Sequence, residues 1–248
     1  MSGHSKWSTI RRKKGKADAA RGKLFSRLIR EITVAVRERG GDESANPRLR
    51  TAIQSAKGMN MPQNNIERAI KRGTGELPGV SYEEAIFEGY GPGGVAVMIE
   101  VLTDNRKRTV SELRHIFSKH QGSLAESGSV VWMFEQQGLI AVDKNSIDEY
   151  DLIELVLEAG AEDIRTEEDA YEVITSLEHF GPVKRALDGK ATISQAELVR
   201  TSTNLVKVTG KTAEQTFGLL EAIEEQEDVQ NVSSNLDIDE KELATLLN

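Results

Sequence analysis

The residues best suited to chemistry crowd the start of the chain. Lys6, Arg11, Arg12, Lys13, Lys14, Lys16, Arg21 and Lys23 lie in one short stretch, and between residues 4 and 23 only Asp18 is acidic. Gly15 and Gly22 weaken any helix there, and apolar periodicity is almost absent. The stretch reads as a flexible arm passing into a helix. Such an arm can track a phosphate backbone and order on binding. Trp7 sits among the cations and either stacks on a base or packs back on the helices that follow; stacking contributes about 1–3 kcal/mol per base in single-stranded complexes. Arg27 and Arg30 carry positive charge onto the next helix. A second cluster, Arg106, Lys107, Arg108, Arg114 and Lys119, belongs to another helix and its start. Its first three members oppose the helix dipole. That placement costs a little stability, which favours a use for it. Together these residues are the expected nucleic-acid-binding set.

Other chemistry is poorly supplied. The loop Glu88-Gly89-Tyr90-Gly91-Pro92-Gly93-Gly94 lacks the lysine and Ser/Thr of a phosphate-binding loop. Its glycines are expected to serve tight backbone geometry, with Tyr90 as a possible partner contact. Gly210-Lys211-Thr212 resembles the end of such a loop, but the glycine it requires is replaced by Leu205. His4, His115, His120 and His179 are too scattered for a metal site. No nucleophile elbow and no dinucleotide-binding glycine pattern is present. Acidic runs such as Glu167-Glu168-Asp169 read as solvated surface. No enzyme activity, no cofactor and no metal are expected.

Charge is divided unevenly along the 248 residues, whose net charge is -8. Residues 1–76 hold 18 Lys+Arg and 7 Asp+Glu, a net of +11; residues 77–248 hold 14 and 33, a net of -19. This is the pattern of a basic arm for polyanions joined to an acidic body. The acidic body would repel nucleic acid, confine it to the basic surfaces, and attract basic proteins such as ribosomal ones. There are no cysteines, so disulfides, zinc ribbons and thiol catalysis are excluded. No apolar run approaches the roughly 18 residues that a membrane helix needs; no membrane partner is expected, and the location expected is cytoplasmic.

The elements that must position the cations follow from periodicity. Leu24, Leu28, Ile32 and Val36 recur every four residues and are widened by Phe25 and Ile29, which predicts a helix ended by Gly40-Gly41. Asn46-Pro47 starts a second helix that buries Leu49, Ala52, Ile53 and Ala56. A third begins near Pro62, buries Ile66, Ala69 and Ile70, and stops at Gly73. After Leu77-Pro78-Gly79 strands appear, over Ile86–Tyr90 and Val95–Thr103, as a hairpin. Thr103 or Asp104 should cap a helix running to His120, with Val110, Leu113, Ile116 and Phe117 inward. A strand is expected over Ser129–Phe134. From Leu139 the order is strand, helix, strand, strand, helix, strand (139–142, 148–159, 163–165, 172–175, 177–187, 192–199), which is ferredoxin-like. A helix over 212–225 and a strand over 229–234 close the chain.

The expected fold class is therefore α+β and multi-domain: an N-terminal three-helix module, then two ferredoxin-like or α+β domains, the third inserted in the second. The boundaries are 1–76 for the basic arm and helices, 77–136 plus 206–248 for the second domain, and 137–205 for the insertion.

Several long motifs stand in order: GHSKW near the start, RGKLFSRLIREI, NPRLRTAI, NMPQNNIERAIKRGTG, EGYGPGGVAVMIEVLTDNRKRTVSELRHIFSK, SGSVVWMFEQQG and EAGAED. Together they resemble the YebC family of probable transcriptional regulatory proteins. The resemblance covers nearly the whole chain. It implies three domains, no catalysis, and binding either to DNA at promoters or to the translating ribosome. In the second case ribosomal RNA is the target and stalling on proline-rich stretches is relieved. Because the similarity starts at residues 2–3, a bacterial-type cytoplasmic member is expected rather than the mitochondrial branch, whose members activate translation of a cytochrome oxidase subunit. One departure stands after Lys119, where the family usually has Asn-Gly-Gly and this chain has His120-Gln121-Gly122.

Overall fold

The computed structural model describes residues 21–167 and 170–239, together with 242 and 246. Lys6, Trp7, Arg11 to Lys14 and Lys16 of the arm lie outside the described residues. Contacts divide the rest into two compact units: residues 21–130 with 208–232 and 238–239, and residues 131–207 with 233–237.

Three helices open the first unit: α1 (Arg21–Arg39), α2 (Pro47–Gly58) and α3 (Gln63–Thr74). Ile32, Ala35 and Val36 of α1 meet Leu49, Ala52, Ile53 and Ala56 of α2 and Ile66 and Ala69 of α3 in one core, with Phe25, Leu28, Ile29 and Ile70 at its margin. Of the expected four-residue stripe, Ile32 and Val36 are in this core, Leu28 is at its margin, and the half-buried Leu24 is not part of it. Asn46 is buried as the N-cap of α2; its side chain accepts from the N–H of Leu49 at 3.0 Å and donates to the carbonyls of Ala35 and Gly40 at 2.7 and 2.9 Å. One side chain therefore satisfies the start of α2 and the end of α1.

Helix α3 does not stop at Gly73. It runs to Thr74 and ends at Gly75, whose φ of 84° is left-handed. Gly73 is instead a packing residue: a Cβ there would lie 2.6 Å from Val36. The stop and the close approach both need glycine, and sequence alone does not separate them.

Strands β1 (Glu83–Tyr90) and β2 (Ala96–Thr103) form the expected antiparallel hairpin, with Phe87 opposite Ile99. A short 3-10 turn over Pro92–Gly94 joins them, and Gly93 and Gly94 have φ of 72° and 78°. Helix α4 (Arg106–Lys119) follows. Its cap is Asn105, not Thr103 or Asp104: the Asn105 side chain accepts from the N–H of Arg108 at 3.1 Å, while the Thr103 hydroxyl accepts from the N–H of Asn105. The inward face is Thr109, Leu113 and Phe117, and Val110 and Ile116 are half-buried.

Strand β3 (Ser123–Leu124) lies beside β1. No strand forms over 129–134; Val131–Met133 is a 3-10 turn. The buried Glu88 carboxylate takes the N–H groups of Gly128 and Val130 at 2.7 and 2.6 Å, which removes donors that a sheet ladder would need.

The second unit contains β4 (Glu135–Asp143), α5 (Glu149–Glu158), β5 (Ala161–Thr166), β6 (Ala170–Thr175), α6 (Leu177–Leu187) and β7 (Ile193–Thr201). Their sheet order, β5-β6-β4-β7, is antiparallel throughout and is that of the ferredoxin-like fold. Ile140, Val142, Tyr171 and Val173 pack under Leu152, Val156, Val183 and Leu187 of its two helices. Strand β8 (Val206–Lys207) pairs in parallel with β10 (Leu236–Asp237). Helix α7 (Gly210–Glu224) leads to β9 (Val229–Ser234), which joins the hairpin sheet in the order β3-β1-β2-β9. The chain thus leaves this sheet, builds a second one and returns. None of the helices among the described residues is long and apolar enough to cross a membrane.

Candidate nucleic-acid interface

Arg27 and Arg30, expected on α1, and Lys23, expected in the arm, reach the end of α7 and the residues that follow it. Lys23 Nζ donates to the carbonyl of Glu225 at 3.3 Å, Arg27 donates to the carbonyl of Glu224, and Arg30 donates to the carbonyl of Glu227. Orphan carbonyls and negative dipole at a helix C-terminus favour such partners. Arg30 also pairs with Asp228 at 3.3 Å and lies 5.6 Å from the ring centre of Tyr82. Arg21 stands at the first position of α1.

Asp228 collects a second expected nucleic-acid contact. Arg108 reaches it at 2.9 Å and reaches Asp104, one turn earlier, at 2.7 Å. The hydroxyls of Thr109 and Thr103 donate to the same carboxylate at 2.7 and 3.1 Å. The Asp228 side chain is only 1% exposed. Burial pushes its pKa up, but hydrogen bonds from Arg108, Thr109 and Thr103, with the charge of Arg108, outweigh this and hold it below the usual carboxylate value. Arg108 is correspondingly held above its ordinary value by hydrogen bonding to Asp228 and then Asp104. Arg106 lies over the ring of Phe87, 5.4 Å from its centre.

Lys107, Arg114 and Lys119 differ. All three are exposed, and none makes an ion pair or a side-chain hydrogen bond among the described residues. Lys107 and Arg114 are seven residues apart, two helical turns, so they share a face of α4. Beside α4, Glu112, His115 and Ile116 face Ala222, Glu225 and Gln226 across an open groove of about 440 Å³. Glu112 there accepts from Gln226 at 2.7 Å. Two carboxylates on its walls make this groove unsuitable for phosphate.

Tyr90 is half-buried and donates to the carbonyl of Ser129 at 3.1 Å, which orders the loop it faces. No group of His and acidic residues among the described residues could hold a metal ion. Sequence reasoning passed over Asp228, which pairs with Arg30 and Arg108, and took Asp104, which pairs with Arg108, only as a cap. It also passed over Lys57, Asn64, Arg68 and Lys71 in the helical module. These four are exposed and without ion pairs or side-chain hydrogen bonds among the described residues. Their signal was present as polar positions complementary to Ile66 and Ala69.

Comparison with known proteins bears on the same regions. The family model described as the TACO1/YebC protein N-terminal domain matches residues 5–76, and that described as the TACO1/YebC second and third domain matches residues 82–236. A probable transcriptional regulatory protein of Desulfosudis oleivorans is 55% identical over 236 residues, covering 95% of this chain and 96% of that one. One from Geobacter sulfurreducens, of the same description, is 53% identical over the full length of both. The crystal structure of a conserved hypothetical protein from Aquifex aeolicus superposes with a TM-score of 0.85 at 48% identity, covering 95% of this chain and 98% of that one. With both parts of the sequence matched, and full-length relatives sharing more than half their residues, the chain belongs to the TACO1/YebC family.

Proposed function

We propose that this protein is a non-enzymatic, cytoplasmic regulator of gene expression that acts by binding nucleic acid, with DNA as its target. The observation that supports the reading is the exposed cation set Lys107, Arg114 and Lys119 on α4, which has no ion pair or side-chain hydrogen bond among the described residues. Fixed cations of this kind bind polyanions by releasing condensed counterions. The basic arm adds Lys6, Arg11 to Lys14, Lys16 and Arg21, with Trp7 to stack. Arg27, Arg30 and Arg108 are left out of this set, because each already has a partner within the protein. The acidic α+β domains after residue 76 attract a basic partner protein, such as a ribosomal one.

The salt dependence of duplex binding tests this. With about six phosphates engaged, log K falls against log salt with a slope of roughly -5. Replacing Lys107, Arg114 and Lys119 together by alanine flattens that slope by about 3. Salt-independent affinity would sink the reading. Cross-linking in growing cells then identifies the target. Promoter DNA, lost when Arg11 to Lys14 are neutralised, supports regulation at transcription. Ribosomal or transfer RNA with little DNA would instead make the protein a translation factor, its arm an RNA clamp at ribosomes stalled on proline-rich stretches.

A further inference from the structure

Two helices of the helical module are joined by a short, fixed turn. Helix α2 ends at Gly58 and α3 begins at Gln63, so four residues, Met59, Asn60, Met61 and Pro62, join them. A helix-turn-helix uses a turn of three or four residues, often with glycine at its bend. Here Asn60 takes that position with a left-handed φ of 58°, a conformation that asparagine tolerates better than most residues. The turn is fixed at both ends. The N–H of Asn60 donates to the carbonyl of Lys57 and that of Met61 to Ala56, both at 2.9 Å. Met61 is 5% exposed and packs into the core between the two helices. Ile66 and Ala69 seat the inner face of α3 on the same core, with α1 behind both helices.

The outer face of α3 is what such a motif needs. Asn64, Arg68 and Lys71 follow at spacings of four and three, so they share one face. All are exposed. Lys57 stands exposed at the end of α2, before the turn. The one acidic neighbour on α3, Glu67, is occupied by the Gln63 side chain at 3.3 Å. Arginine pairs with two acceptors on guanine, and asparagine with the donor and acceptor of adenine, in the major groove.

We propose that α2 and α3 form a helix-turn-helix that reads duplex DNA. Asn64 and Arg68 face base edges, and Lys57 and Lys71 hold the flanking phosphates. The proposal rests on the nucleic-acid reading above and adds to it a source of sequence preference. The arm and α4 supply affinity; α3 supplies choice.

The test is selection of binding sites from a random duplex library by the full-length chain, followed by titration of the enriched site and of scrambled duplex. Arg68→Ala and Asn64→Ala are exposed changes, and unaltered thermal melting confirms that each variant is folded. The expected result is a preference for the enriched site that falls roughly 5- to 150-fold in Arg68→Ala, with binding to scrambled duplex nearly retained. Neutralising Arg11 to Lys14 should weaken both duplexes alike. The proposal is overturned if no site is enriched, or if both α3 variants keep the wild-type preference. Enrichment that survives in those variants would leave the nucleic-acid reading standing and remove α3 from it. Failure of the wild-type chain to bind any duplex would remove both.

Discussion

Two groups of cations, similar in composition, end in opposite situations. Lys23, Arg27 and Arg30 on α1 reach carbonyls at and just after the end of α7 and the carboxylate of Asp228. Lys107, Arg114 and Lys119 on α4 stand in solvent without an internal partner among the described residues. A charge count weighs the groups equally. The difference lies in what the fold places opposite each one. The α1 group meets a helix end and a buried aspartate; the α4 group meets water. The first group fastens the helical module to the sheet domain, and the second remains available to a polyanion.

The largest way to break this contrast is to remove the acceptor. Asp228→Ala strips Arg30 and Arg108 of their shared carboxylate. It should cost about 3 kcal/mol in urea denaturation, the low end for a broken buried pair because Arg108 regains water. A loss below about 0.5 kcal/mol, the range of ordinary surface changes, would mean that this contact does not fasten anything.

Next comes a direct comparison of the groups. Arg30→Ala should destabilise by about 1.5–3 kcal/mol, the range for hydrogen bonds to a charged partner. Arg114→Ala should leave stability within about 0.5 kcal/mol while weakening duplex binding. Equal effects of the two substitutions on stability would erase the difference between the two groups.

The smallest effect appears with pH. Asp228 titrates below its unfolded value in the folded protein. Its contribution is therefore full above the ordinary aspartate pKa of about 3.9 and is lost as pH falls through the lower folded value. The stability gap between wild type and Asp228→Asn should be constant near neutral pH and close only in acid, below about pH 4. A gap that closed near pH 6 would point to another group.

Much of the fold could be read beforehand because its elements announce themselves locally. The four inward positions of α2 were legible from spacing and from the Asn46-Pro47 start. The ferredoxin-like order was legible from alternation alone. The strand expected over 129–134 was not an error of pattern: Val130, Val131 and Trp132 have strand propensity. The segment is diverted by Glu88, some forty residues earlier, and no local window contains that carboxylate. The cap of α4 moved by one or two residues for a related reason. Thr103, Asp104 and Asn105 are all competent caps, and Thr103 is already committed to Thr109 and Asp228.

At the candidate interface the residue types were legible but their commitments were not. Gln121 illustrates the limit from the other side. It adopts a φ of 61° at a position where the resemblance led to glycine. The departure was visible in sequence, and its conformational cost became visible only in the backbone.

The sequence by itself determined where most helices and strands lie and that charge is segregated, because period, capping and composition are local properties of the chain; its ordered motifs carried the resemblance to one family. Only the tertiary structure decided which cations are spent and which are offered. Burial and pairing depend on groups brought together from as far apart as Arg30 and Asp228, and an arginine facing a buried carboxylate cannot be told from one facing water until both sides of the contact are in place.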